Sequence, residues 1–325
     1  MEGIPLKKVC IYNIKHNRKM YLTMCKAFIE GLQKHGVHYE YCESLKGIAS
    51  LPETELAVCF TNAPRTKPII EKQSFDSNNY LSLDVGRFHT KGITNFDNRN
   101  KIYGVDTNTD MKDTSLIYCN LLNNDYITHR YIKNNLKSRI EELNMLDINI
   151  SPYKENNFVL IPEQIHPEGA YNRPEKFKSH NVTNWIDWAR NTCNFIKEKT
   201  NLKVRIRRHP NRWFWNDHTK DIENLFKDVE FSYGEKVSLK QDLEDVSHLV
   251  TISSKCCIEA LLNGSHIFLK DKSSIAWDVS NDLEDINSPK TFDRQQWLND
   301  ISYSHWTLEE ISNGDYWDYY KRHLS

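Results

Sequence analysis

Three short segments set polar side chains at the point where an apolar run stops. The first is Leu249-Val250-Thr251-Ile252-Ser253-Ser254-Lys255-Cys256-Cys257-Ile258-Glu259-Ala260-Leu261-Leu262-Asn263-Gly264. An apolar strand leads into two hydroxyls, then a helical stretch that a glycine stops. Free backbone N–H groups at a helix start, joined by serine hydroxyls, suit a phosphate. The same serines also suit an ordinary N-cap, and the local pattern leaves both readings open. The second segment is Val204-Arg205-Ile206-Arg207-Arg208-His209-Pro210-Asn211. Proline ends the ladder and holds the imidazole at the strand tip. There His209, with Arg207 nearby, can donate to a phosphate oxygen and stabilise a leaving group as charge develops on it. A structural histidine at a turn is the plain alternative. The third segment is Leu160-Ile161-Pro162-Glu163-Gln164-Ile165-His166-Pro167. In it the Gln164 carboxamide can read a polar edge of a ligand or be an ordinary loop residue.

The first half of the chain carries a candidate base. In Leu83-Asp84-Val85-Gly86-Arg87, Asp84 stands at the end of a predicted strand. It is placed to accept a proton from a hydroxyl or, as a turn aspartate, to bond its own backbone. Lys15, His16, Arg18 and Lys19 form a basic set near the first strand–helix turn, suited to an anionic partner or to solvent. Arg205, Arg207, Arg208 and Arg212 interleave with Trp213, Phe214 and Trp215. That pattern fits phosphate contact with base stacking, or a salt-bridged rim. Asp106 and Asp110 flank a loop without an Asp-x-Asp clamp, so a phosphate site built from protein groups alone is expected, with no metal. The eight cysteines include no C-x-x-C pair. That argues against zinc and for reduced thiols in a cytoplasmic protein.

Taken in order, strand–Gln, strand–His-Pro and strand–Ser-Ser–helix resemble the glycosyltransferases of capsule assembly that transfer Kdo and the bacterial sialyltransferases of the two-Rossmann-domain (GT-B) kind. The segment Glu259 to Gly264 is similar to the helix end after the nucleotide-contacting turn of such enzymes. The stretch Asp293-Arg294-Gln295-Gln296-Trp297-Leu298, with Trp306-Thr307 and Glu310 to Gly314, is similar to tails of capsule-related and phage-encoded transferases. The resemblance spans roughly residues 158–317. It implies transfer of a sugar from a CMP- or UDP-linked nucleotide sugar to a hydroxyl, without a further cofactor. Gln164, Arg207, His209, Pro210, Ser253, Ser254 and Glu259 would bind the donor, His209 and Asp84 would be catalytic, and Arg18, Lys19 and Arg87 would meet the acceptor. Where such families place two adjacent acids, this chain has Asp84-Val85. The acceptor is either a surface polysaccharide or glycolipid, or a hydroxymethylated base in duplex DNA of a bacteriophage, with a slight preference for DNA; the alternative to transfer is a non-catalytic nucleotide-sugar binding protein on the same fold. The phage case would put the protein in the host cytoplasm.

Those residues need two α/β halves to position them. Strands are predicted at 9–12, 37–41, 56–60, 81–85, 158–162, 203–207, 248–252 and 266–269, with helices at 18–35, 126–143, 182–199 and 255–263. The alternation predicts parallel, helix-covered sheets, hence an N-terminal domain over 1–150, a nucleotide-sugar domain over 151–280, and a helical tail over 281–325 packing back over both. The chain has 325 residues, of which 39% are hydrophobic and 27% charged. That length suffices for two domains, and that balance is globular. The net charge is −1, which advertises no global field for nucleic acid. The sequence contains no apolar run of roughly 18 residues, the length a membrane span needs, and its start reads as a first strand and not as a signal peptide.

Overall fold

The computed structural model describes residues 9–12, 19–42, 56–60, 69, 72, 79–85, 113–120, 149–164, 185–209, 219–272, 274–302 and 305–318. The chain forms two units, residues 1–147 with 298–325, and residues 148–297.

In the first unit, strands β1 (Val9–Tyr12), β2 (Tyr39–Cys42), β3 (Leu56–Phe60) and β4 (Asn79–Val85) are parallel. β5 (Asp113–Asn120) runs antiparallel to β4, and β11 (His305–Thr307) antiparallel to β5. The sheet order is β11-β5-β4-β3-β1-β2, so its strand order reverses between β1 and β3. Helix α1 (Lys19–Lys34) follows β1 and buries Met24, Phe28 and Leu32 against Val9, Ile11, Leu56 and Val58. Their spacing of four keeps one stripe of the helix on the sheet.

The second unit carries β6 (Phe158–Pro162), α2 (Trp185–Lys199), β7 (Lys203–Arg208), α3 (Thr219–Leu225), β8 (Glu230–Tyr233), α4 (Leu239–Asp242), β9 (Val246–Thr251), α5 (Cys256–Leu262) and β10 (His266–Leu269). All five strands are parallel, in the order β10-β9-β6-β7-β8. The first-laid strand, β6, is therefore central, and the winding reverses between β6 and β9, as in a doubly wound Rossmann sheet. Strands in such a sheet are covered on both faces and read as nearly unbroken apolar runs. β9 and β10 are buried along their whole length. Trp185, Ala189, Cys193 and Ile196 of α2 pack on Val159, Ile161, Val204 and Ile206.

Three departures from the sequence reading have local causes. β5 falls in no predicted element, because its short Leu-Ile-Tyr-Cys run is hidden in a polar stretch rich in Asn and Asp. β8 has the sequence Glu-Phe-Ser-Tyr and carries little pattern of its own. The final stretch is shared between the units. Helix α6 (Arg294–Ser302) holds the division between the units, at Trp297 and Leu298, and beyond it β11 and α7 (Leu308–Asn313) belong to the first unit. There Trp306, Ile311, Tyr316 and Trp317 complete the core under α1. Gly31 makes this approach feasible, since a Cβ there would lie 2.2 Å from the Ile311 carbonyl oxygen. It sits late in α1, and with Gly36 it belongs to the helix's carboxyl end. The predicted helix at 126–143 lies outside the described residues.

Gly264, which stops α5, has φ of 87°, and a Cβ on it would stand 2.0 Å from the Pro152 carbonyl oxygen. Gly36 has φ of 63° with no heavy atom within 4 Å of an added Cβ. Gly264→Ala should therefore cost about 2–4 kcal/mol, from left-handed strain and overpacking together. Gly36→Ala should cost roughly 1 kcal/mol from strain alone. Urea unfolding followed by hydrogen exchange in each unit measures both, and equal costs would remove the Pro152 contact from the explanation.

Candidate functional site

Gln164 stands two residues past β6, and its side chain crosses to the end of β9. Its carboxamide oxygen accepts from Thr251 Oγ1 at 3.1 Å, the Ile252 N–H at 3.1 Å and the Ser253 N–H at 3.3 Å. Its Nε2 donates to Ser253 Oγ at 3.4 Å. Thr251 Oγ1 in turn accepts from the Ser254 N–H at 3.3 Å. These bonds shape the turn between β9 and α5 at the point where the strand order reverses, the place where open α/β sheets bind ligands. Gln164 is thus a clamp on the turn, and its oxygen is not the free reader of a ligand edge that the sequence suggested.

The start of α5 also differs from a row of free amides. The Cys256 N–H donates to Ser254 Oγ at 3.3 Å, the Cys257 N–H to the Ser254 carbonyl at 3.2 Å, and the Ile258 N–H to the Lys255 carbonyl at 3.1 Å. Lys255 holds the N-cap position, with no side-chain cap bond. Ser254 serves the turn from one residue earlier. The half-buried hydroxyls of Ser253 and Ser254 are what this turn brings together at the end of β9. Glu259 lies half-buried in α5.

On the other side of β6, the Glu163 N–H donates to the Arg207 carbonyl at 2.7 Å. The Glu163 carboxylate then accepts from the His209 N–H at 2.8 Å and from Arg208 Nε at 3.0 Å. Arg208 is 2% exposed and also lies 3.8 Å from Glu223, which accepts from the Tyr233 hydroxyl at 2.6 Å. His209 follows the last residue of β7. Burial, and secondarily the charge of Arg207, hold its imidazole down at a pKa of about 4. At neutral pH the ring is uncharged and carries one N–H to donate.

Arg207, expected at the donor, has its guanidinium bonded within its own unit. It is 4% exposed and bonds Asp242 and Ser232, with a further bond to the Val237 carbonyl at 2.9 Å. Ser232 is its register neighbour on β8, as Glu230 is of Arg205. Arg205 pairs with Asp245 at 2.7 Å and Glu230 at 3.2 Å. Three of the four arginines proposed for a nucleic-acid patch thus have acidic partners within their own unit, while Arg212, Trp213, Phe214 and Trp215 lie outside the described residues. Pro210, Arg18 and Arg87 also lie outside them. Asp84 falls at the carboxyl end of β4, in register with Ser115, and Lys19 is the first residue of α1.

Sequence reasoning missed Glu163 and Thr251. Glu163 had one signal, its place directly before Gln164 at the end of a central apolar strand. Thr251 had none, since threonine is an ordinary strand residue. Among the described residues no group of three or more His, Cys, Asp or Glu is placed to hold a metal, and no helix is long and apolar enough to cross a membrane.

No family model matches this chain, and no curated protein matches it. Solved structures do. The KpsC β Kdo 2,4 transferase of Thermosulfurimonas dismutans is 12% identical, with 94% of this chain and 97% of that one aligned and a TM-score of 0.50. The β Kdo 2,7 transferase of the same KpsC is 11% identical over 94% and 97% of the two chains, with a TM-score of 0.49. The UDP-GlcNAc 2-epimerase of Methanocaldococcus jannaschii is 12% identical over 98% and 99%, with a TM-score of 0.31. The first of these likenesses establishes the fold, an α/β chain of two Rossmann-like units as in GT-B proteins.

His209 and His248 both titrate near pH 4 in the fold, His248 through burial and the adjacent His266. In the unfolded chain they titrate near 6.5. Above about pH 6.5 both states are neutral and the stability is fully present. Below it the unfolded chain takes up protons first, so stability falls as pH drops from about 6.5 to about 4, by up to about 1.4 kcal/mol per pH unit for each histidine. Denaturant titrations across that range should show a shallower slope in His209→Gln and in His248→Gln. Unchanged slopes in both variants would discard the assignment.

Proposed function

We propose that this chain is a glycosyltransferase that moves a sugar from a nucleotide-sugar donor, CMP- or UDP-linked, to a hydroxyl acceptor. The donor phosphate would sit at the carboxyl ends of β6, β7 and β9. The observation that carries this reading is the reversal point of the second sheet, where Gln164 shapes the Ser253-Ser254 turn and Glu163 holds the strand-tip His209. Two neutral hydroxyls and a neutral imidazole set no negative charge against an anion, and each is a group able to donate to a phosphate oxygen. A β Kdo 2,4 transferase with the same fold supports sugar transfer as the reaction.

In the proposed reaction a base, assigned to Asp84, takes the proton of the acceptor hydroxyl. The oxygen attacks the anomeric carbon, and the bond from that carbon to the donor phosphate oxygen breaks. His209, Ser253 and Ser254 donate hydrogen bonds to the departing phosphate as its charge grows. No metal is assigned a part. Arg205, Arg207 and Arg208 are paired internally. That pairing takes charge away from the surface that a DNA duplex would need. This favours a saccharide hydroxyl, on a glycan or glycolipid, over a modified base.

Ser253→Ala combined with Ser254→Ala should weaken nucleotide binding by roughly 1–3 kcal/mol, if both hydroxyls meet charged oxygens. Calorimetry with CMP and UDP reads this directly, and an unaltered affinity would sink the phosphate assignment. Asp84→Asn should lower the transfer rate by about 10²–10⁴-fold while donor affinity stays near wild type. Transfer assays in excess EDTA on the wild type run beside it. An active Asp84→Asn enzyme removes Asp84 as base, and a loss in EDTA restored by Mg²⁺ removes the metal-free mechanism.

A further inference from the structure

The two residues after β6 reach in opposite directions. Gln164 holds the turn after β9, and Glu163 holds the end of β7. The β6–β7 ladder closes with the Glu163 N–H on the Arg207 carbonyl at 2.7 Å. At the next step the His209 N–H turns to the Glu163 carboxylate at 2.8 Å, so a side chain supplies the acceptor where the ladder stops. The same oxygen, Oε2, takes Arg208 Nε at 3.0 Å. One atom therefore fixes two consecutive residues. Neutralising a buried arginine requires no bond to the neighbouring amide, and Arg208 already has Glu223 at 3.8 Å.

We propose that Glu163 is a positioning residue for His209, fixing where β7 ends and hence where the imidazole stands when it meets the donor phosphate. This inference rests on the nucleotide-sugar reading above. Glu163 does not touch the donor itself. Its contribution is to hold the catalytic ring in place, where a misplacement of about 1 Å costs on the order of 10²-fold in rate. Among the described residues, charged groups next to His209 include Glu163 from the end of β6 and Arg207 and Arg208 from β7, with Arg207 acting on the ring electrostatically.

The test uses the full chain as wild type, Glu163→Gln, Glu163→Asp and Glu163→Ala. The Gln variant keeps an acceptor oxygen in the same place. The Asp variant keeps the charge but withdraws it by one methylene. The His209 ring titration is followed by NMR, with transfer rate, donor affinity and melting temperature measured alongside. In Glu163→Ala and Glu163→Asp the ring is expected to leave its buried place, so that the His209 titration rises from about 4 toward its ordinary range, and the transfer rate to fall about 10–100-fold. Glu163→Gln is expected to keep both near wild type. Should the Ala variant not fold, the Asp variant decides. A His209 titration that stays put in the Asp or Ala variant overturns the proposal, as does a transfer rate per folded molecule equal to wild type. If the wild type neither binds nor turns over nucleotide sugars while the titration still moves, the functional reading falls and the positioning role stands.

Discussion

A single carboxamide oxygen organises the candidate site. Gln164 Oε1 takes three donors from the end of β9, Thr251, Ile252 and Ser253, between 3.1 and 3.3 Å. Thr251 and Ile252 are fully buried. These donors therefore lack a ready exchange with water, and each bond lost would cost on the order of 1–3 kcal/mol. The choice of amide over carboxylate has an electrostatic reason. A glutamate would accept the same N–H groups but would place a negative charge beside the two serine hydroxyls. A neutral acceptor shapes the turn and leaves it compatible with an anion. The acid of the pair, Glu163, faces the other neighbour, where Arg208 balances it.

Topology explains why two adjacent residues can do this. β6 is laid first and lies between β9 and β7. In extended chain, successive side chains diverge, so a dipeptide leaving the central strand can send one side chain to each flanking strand end. The segments with Gln164, His209 and Ser253-Ser254 lie far apart in sequence, but their strands are neighbours in the sheet. That much was legible in the chain, because buried parallel strands announce themselves as apolar runs and each run ended in a polar group. The direction in which each polar group points was not legible. It depends on strand pairing, which no single segment contains.

The arginines make the same point from the other side. Arg205 and Arg207 are two apart on β7, so they share a face, and their register partners Glu230 and Ser232 are two apart on β8. Seen together, the strands answer one another: guanidinium opposite carboxylate, guanidinium opposite hydroxyl. Seen alone, Arg-Ile-Arg-Arg beside Trp-Phe-Trp has the composition of a phosphate-binding surface. β8 is only four residues long and supplies Glu230 and Ser232, while the other partners, Asp242, Asp245 and Glu163, come from further segments that no reading of β7 alone contains. A charged strand in the interior of a parallel sheet is better read as half of a paired ladder, since an unpaired buried charge is far costlier than an exposed one.

The helix that starts at the serine turn is anchored at its far end as well. The segment entering the second unit docks there, with the Ser151 N–H on the Leu262 carbonyl at 2.8 Å and the Lys154 N–H on the Gly264 carbonyl at 2.9 Å. The segment leaving the unit docks there too. Arg294 bonds the Leu261 carbonyl, reaches the Ser151 carbonyl at 2.7 Å and lies 3.8 Å over the Tyr153 ring. A guanidinium at a helix carboxyl end adds a bond to its last carbonyls and complements its dipole. Gly264 is required because the Pro152 carbonyl occupies the space of a side chain. The Ala-Leu-Leu-Asn-Gly helix end and the Asp-Arg-Gln-Gln-Trp stretch, well separated in the chain, are therefore two halves of one joint. Glycine admits the entering segment, and arginine ties it to the leaving one. The helix between the serines and this joint has only seven residues. A helix that short is marginal by itself, and it keeps its place because Gln164 holds its start and Arg294 its finish.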